Sequence, residues 1–134
     1  MLPWAWVADR LLAARNYWLV TSKADGAAHA APVWGLWIDD AVVFSTSRQS
    51  RKGRNLMRDP RVVVHLESGD EVVIIEGEVE EISLDERLAD AYEAKYAYRP
   101  GGEAGGFWLH LHPEIVLAWT ESDYPATVTR FSFA

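Results

Sequence analysis

The sequence predicts a mainly-β chain, an antiparallel barrel with flanking helices. Three observations predict it. β-branched and aromatic runs recur at short spacing, as in Tyr17–Ser22, Ala41–Thr46 and Arg61–Leu66. They are joined mostly by tight turns, which disfavours a doubly wound parallel sheet. No GxGxxG or Walker motif is present, so a glycine-loop phosphate site is not expected.

Taken in order, residues 3–15 read as a helix. Trp4, Val7, Leu11 and Leu12 recur at helical spacing and Pro3 suits the first turn. Tyr17–Ser22 is a strand, and Ala24-Asp25-Gly26 is a turn. Ala28–Ile38 is a second strand whose Pro32 implies an edge, a bulge or an opening in the ladder. Asp39-Asp40 turns the chain into a third strand, Ala41–Thr46. Ser50–Arg58 is a short helix with Ser50 as N-cap and Pro60 beyond its end, and Leu56 and Met57 are expected to pack inward. Arg61–Leu66 is strand four, and Ser68-Gly69-Asp70 turns into the long strand Glu71–Ile82. Gly77 there suggests a bulge or the close approach of another backbone, and Glu76, Glu78 and Glu80 form a solvated face. Ser83–Tyr98 is a helix, with a Ser83/Glu86 capping box and an apolar stripe of Leu84, Leu88, Ala91, Tyr92 and Tyr96. Arg99–Gly106 is a glycine-rich loop that could act as a lid. Ile115–Thr120 and Thr127–Phe133 are the last strands, joined by a turn containing Pro125.

Composition narrows the function. The 134 residues suit one domain with a real core. A net charge of -7 argues against nucleic acid as the partner. The lack of cysteine excludes thiolate chemistry and disulfides. No apolar run reaches the roughly 18 residues of a membrane span, and the N-terminal stretch does not read as a secretory leader. A cytoplasmic protein is the expectation. The 7 Trp are expected partly at a ligand pocket or a subunit interface.

Within this acidic chain, 5 of the 13 Lys and Arg fall between Arg48 and Arg58. Ser50 at a helix start, followed by Arg51 and Lys52, would present free N–H groups, a positive dipole end and two cations to a phosphate. His110 and His112 would share one face of a strand, but no metal site is expected from them. Neither a glycosidase-like carboxylate pair nor a Ser-His-Asp arrangement is evident.

The stretch VVFSTSRQSRKGRNLMRDPRVVVHLE (Val42–Glu67), following HAAPVWGLWIDD, resembles the pyridoxamine 5′-phosphate oxidase-like flavin-binding proteins. The likeness runs from about Leu11 to Phe133. It implies a split β-barrel, six-stranded, antiparallel and Greek-key-like. It also implies a homodimer with FMN held at the subunit interface. By the resemblance, Thr46, Arg51 and Lys52 hold the flavin phosphate, with Ser50 at the helix start and Ser45 beside the ribityl chain or the ring. Pro32, Val33 and Trp34 lie along the ring through their backbone, and Trp119 and Arg130 reach the cofactor from one subunit or the other. The pyridoxine phosphate oxidases proper carry an Arg-x-His before the final Arg. Ala126 and Val128 stand at those places here, so pyridoxine phosphate is not the expected substrate. The short, Trp-bearing form resembles actinobacterial members, some of which use the deazaflavin coenzyme F-420 in place of FMN. A small organic substrate is expected beside the ring, with Trp34, Trp37, Tyr98, Trp108 and Tyr124 as candidate walls. No catalytic acid or base is assigned. A flavin-binding module without turnover is the alternative from another class.

Overall fold

The computed structural model describes residues 1–101 and 105–133. In chain order its elements are helix α1 (Trp4–Ala13), strands β1 (Asn16–Ser22), β2 (Ala28–Trp34), β3 (Leu36–Ile38) and β4 (Ala41–Ser47), and helix α2 (Arg51–Arg58). Strands β5 (Arg61–His65) and β6 (Glu71–Ile82), helix α3 (Glu86–Tyr96), and strands β7 (Gly106–Leu111) and β8 (Ile115–Thr120) follow. The 3-10 turn Glu121–Asp123, helix α4 (Tyr124–Thr127) and strand β9 (Thr129–Ser132) close the chain. Every pairing is antiparallel. The sheet order is β2-β1-β5-β6-β7-β4-β3, with β8 on β6 and β9 on β8. β2 approaches β4, so the sheet curls on itself into the expected barrel.

Strand β6 organises the curl. Its first half pairs with β8, from Glu71↔Thr120 to Glu76↔Ile115, and its second half with β7, from Val79↔Leu111 to Ile82↔Trp108. The switch falls at Gly77, where a Cβ would lie 2.8 Å from the Leu111 side chain and 3.1 Å from the His112 carbonyl oxygen. The close backbone approach expected at this glycine is thus present. Inside the barrel, Leu19, Phe44, Val64, Ile75 and Val116 alternate with outward residues and are fully or almost fully buried. Val7 and Leu11 of α1 pack into the same core. Complete burial of one such side chain stabilises the fold by roughly 1.5–3 kcal/mol.

Several expectations need correction. Residues 28–38 form two strands, because the chain breaks at Gly35; a Cβ there would meet the Val43 carbonyl oxygen at 2.9 Å. Pro32 does lie on an edge strand, opposite Trp18. The N-cap of α3 is Asp85, not Ser83: its carboxylate accepts the Leu88 N–H at 2.8 Å. Met57 is exposed while Leu56 packs inward. Strand β7 includes His110 but ends at Leu111, so His110 and His112 do not share one strand, and the turn at Pro125 is a short helix. The Arg99–Gly106 lid falls partly on residues 102–104, outside the described residues. Among the described residues no helix is long and apolar enough to cross a membrane.

Two local arrangements tie helices to the barrel. At the β4–α2 corner the Ser50 hydroxyl donates to the Ser47 carbonyl (2.7 Å) and accepts the Gly53 N–H (3.0 Å). Helix and strand are so close that a Cβ on Gly53 would sit 1.9 Å from the Ser47 carbonyl oxygen. At the Gly35 break, the Tyr96 hydroxyl accepts the Gly35 N–H (2.9 Å) and donates to the Arg15 carbonyl (2.6 Å). Lys95 Nζ donates to the Gly35 carbonyl at 2.7 Å. Burial, and then the like charge of Arg15, lower the Lys95 pKa to about 8.

Gly53→Ala should destabilise the fold. The helix-propensity gain of about 1 kcal/mol is outweighed by a backbone clash costing about 1–3 kcal/mol or more; a urea midpoint at or above the wild-type value would contradict the packing. For Lys95, the folded chain releases its proton before the unfolded chain does, so the stability this site contributes rises as pH climbs from about 8 towards the ordinary value of 10.5. Melting of wild type and Lys95→Met across that window should show wild type gaining on the variant. A constant gap would mean that the amine does not titrate there.

Candidate functional site

The hydroxyl-rich corner presents two distinct surfaces, because side chains alternate along β4. Thr46 is buried and its Oγ1 lies 3.0 Å from Ser50 Oγ. Ser45 and Ser47 alternate with it, towards α3 and β7, and all three residues border the cleft on that side. The extended backbone at Ser50 (φ -69, ψ 161) and its bond to the Gly53 N–H make it the N-cap of α2. Asn55 then pins the helix to β1, its amide donating to Thr21 Oγ1 at 3.0 Å with both residues buried.

Four of the five cations of the corner divide into two groups; the fifth, Arg54, is exposed on α2 and has no hydrogen bond or ion pair among the described residues. Arg48 pairs with Glu81 at 2.8 Å and lies over the Phe107 ring at 4.3 Å. Arg58 donates to the Ser22 carbonyl. Among the described residues, the Arg51 and Lys52 side chains make no hydrogen bond or ion pair. They occupy the first turn of α2, which carries no acidic residue. Two like charges at the positive end of a helix are unfavourable without an anion. This first turn therefore has the donors, the charge and the open backbone N–H groups that a phosphate monoester needs.

Beside the corner, on the α3 side, lies a cleft of about 340 Å³ whose floor and walls include Ser45, Thr46, Ser47, Tyr92, Tyr98, Phe107 and Trp108. Trp108 stands edge-on to Tyr92 with ring centroids 5.4 Å apart. Ser45 is opposite Trp108 on the β4–β7 ladder. Of the anticipated walls, Tyr98 and Trp108 line this cleft. Trp37 packs near Trp4 instead, and Tyr124 lies edge-on to Trp119.

The structure thus brings Ser45, Thr46, Ser50, Arg51 and Lys52 together. Pro32, Val33 and Trp34 sit on edge strand β2: Val33 points into the core, and Trp34 stacks on Tyr96 at 4.4 Å. Trp34 reaches the cleft's neighbourhood only through Tyr92, 6.4 Å away. Within one chain, Trp119 and Arg130 do not line the cleft. They are on β8 and β9, where the Trp119 indole N–H donates to Glu121 at 3.0 Å. His110 Nε2 lies 3.6 Å from Glu80, and among the described residues no three potential ligands gather around a metal position. Sequence reasoning missed Phe107 and Tyr92 as cleft walls. The alternation of Phe107, Leu109 and Leu111 was the available signal for β7 and its faces.

Comparison with known proteins agrees with this architecture. The pyridoxamine 5′-phosphate oxidase family matches residues 7–120. A pyridoxine/pyridoxamine 5′-phosphate oxidase of Cupriavidus taiwanensis is 40% identical over 93 residues, covering 67% of this chain and 42% of that protein. The chain spans about half the length of the curated relatives it matches. Among solved structures, a conserved hypothetical protein of Mycobacterium tuberculosis superposes with a TM-score of 0.78 at 24% identity, over 100% of this chain and 93% of that one. An F420 reductase superposes with a TM-score of 0.67 at 20% identity, over 81% and 94%. At these identities the structural likeness is one of fold, the split β-barrel. With the family match covering most of the chain, from α1 to β8, the protein belongs to the pyridoxamine 5′-phosphate oxidase family.

Proposed function

We propose that residues 1–134 form one flavin-binding domain, a homodimeric oxidoreductase that uses FMN to exchange hydride with a small organic molecule. The observation that carries this reading is the unpaired Arg51 and Lys52 on the first turn of α2, capped by Ser50 and adjoining Thr46. A phosphate there would satisfy the two cations and the open N–H groups together. A bound flavin supplies the hydride chemistry. The chain's own residues anchor the phosphate end (Thr46, Ser50, Arg51, Lys52), flank the ribityl and ring portion (Ser45, Pro32, Val33, Trp34) and wall off an apolar cleft. The deazaflavin F-420 also carries a phosphate on a ribityl chain, and likeness of fold to an F420 reductase makes it the competing cofactor to test.

The outer face of the barrel supports the homodimer. Strand register aligns Pro32 with Trp18, Trp18 with His65, His65 with Ile74, Ile74 with Leu117, and Leu117 with Arg130. Val20 and Val63 lie beside them. Trp18 stacks on His65 with an interplanar angle of 3°. This gives a largely apolar band across six strands, half-buried from Trp18 to Leu117, of the kind that a second copy would cover. Trp119, level with Val72 on the same face, and Arg130 would then lie at the border between copies.

Purified protein should take up FMN or the deazaflavin, and competitive titration of the apo protein tells which. A preparation that takes up neither overturns the reading. Bound cofactor that never exchanges electrons with quinones, enones or oxygen would favour the non-catalytic flavin-binding module. Lys52→Ala should weaken cofactor binding by about 1.5–3 kcal/mol, the scale of a charge-assisted hydrogen bond; unchanged affinity in fluorescence titration would move the phosphate elsewhere. For the interface, light scattering should report a dimer. Val20→Asp should shift it to monomer with the circular dichroism spectrum retained, since a desolvated unpaired carboxylate costs several kcal/mol. A monomeric wild type would remove the interface from the proposal.

A further inference from the structure

The cleft beside the corner is flanked by two arginines, and both are neutralised from within the chain. Arg48, over the Phe107 ring, is paired with Glu81. Arg99, next to the cleft residue Pro100, is held by Asp90 at 2.7 Å, Glu86 at 2.9 Å and Glu93 at 3.2 Å, so that end of the cleft carries more negative than positive charge. Among the described residues no charged side chain lines the cleft itself. Its walls are aromatic: Tyr92, Tyr98, Phe107 and Trp108. Its polar floor includes the half-buried Ser45, whose hydroxyl bonds to no other described residue.

We infer that the aromatic end of this cleft, at Tyr92, Tyr98, Phe107 and Trp108, selects an uncharged, flat, conjugated molecule and disfavours one that brings a negative charge there. An anion entering it would lose water and gain no free cation, whereas a planar ring keeps its dispersion and edge contacts with four aromatic walls. The two functions of the region are then separated by charge. The anion is held at the first turn of α2, and the neutral ligand lies towards Tyr92 and Trp108; Thr46, which lines the cleft and touches Ser50, stands between the two. Calling that ligand a substrate rests on the flavin reading above; the charge selectivity of the cleft does not.

Calorimetric titration of the full chain with naphthoquinone and with naphthoquinone sulfonate tests this, because the pair differs mainly in one negative charge. The neutral compound should bind about tenfold or more tightly, in the range set by an uncompensated charge–desolvation cost. Glu81→Gln releases Arg48 at an exposed position and should raise sulfonate affinity while leaving naphthoquinone affinity unchanged. Equal affinities in wild type, or a variant that changes neither ligand, would overturn the assignment. A third arm repeats the titration with saturating FMN. Retained naphthoquinone binding places substrate and cofactor side by side, and displacement by FMN would make the cleft the seat of the ring and overturn the substrate role. If FMN fails to bind while the charge preference persists, the flavin reading falls and the selectivity stands.

Discussion

The Ser50 hydroxyl is the interaction on which the β4–α2 corner depends. It satisfies the Gly53 N–H, donates to the Ser47 carbonyl and lies within hydrogen-bond distance of Thr46. Those contacts stop β4 and start α2 within three residues, and they leave the next two side chains, Arg51 and Lys52, outside the network. The tightness of the corner requires a residue with no side chain at Gly53. The reward is a helix terminus whose charge is held in place and left unpaired, which is the electrostatic condition for seating an anion.

A second constraint operates across the barrel from it. The break at Gly35 leaves a backbone carbonyl and N–H that no strand partner takes, and the C-terminal turn of α3 satisfies them through Tyr96 and Lys95. The same tyrosine stacks under Trp34, with the Arg15 guanidinium 5.2 Å from both rings. Helix α3 therefore sets both the position of Trp34 and one wall of the aromatic cleft. Its cost is a partly buried lysine whose charge is disfavoured, tolerated because the carbonyl it serves would otherwise be unpaired.

Charge is distributed with the same economy. Arg48, Arg58, Arg61, Arg87 and Arg99 are each taken by a carboxylate or a carbonyl of this chain. Such exposed pairs contribute little to stability. Among the described residues Arg15, Lys23, Arg51, Lys52, Arg54 and Arg130 have no hydrogen bond or ion pair, and of these Arg51 and Lys52 are the adjacent pair that opens a helix. The substitution of Ala126 and Val128 for the Arg-x-His of the larger oxidases fits the same pattern.

The local grammar was legible from the residues alone. The Ser50 cap, the Arg51–Lys52 pair, the edge placement of Pro32, the close approach at Gly77 and the fold class all follow from short-range chemistry: caps, turn residues and β-branched periodicity act within a few positions of one another. Long-range packing decided the rest. The capping role of Asp85 rather than Ser83, the break at Gly35 and the strand hidden in GFWLHL depend on which backbone meets which across the sheet. The aromatic cleft exists only because β4, β7 and α3 converge there. The neutralisation of Arg48 by Glu81 joins residues 33 positions apart, a distance over which no sequence periodicity operates. The sequence alone thus marked the cationic, capped corner at Ser50, and the tertiary structure decided what stands beside it.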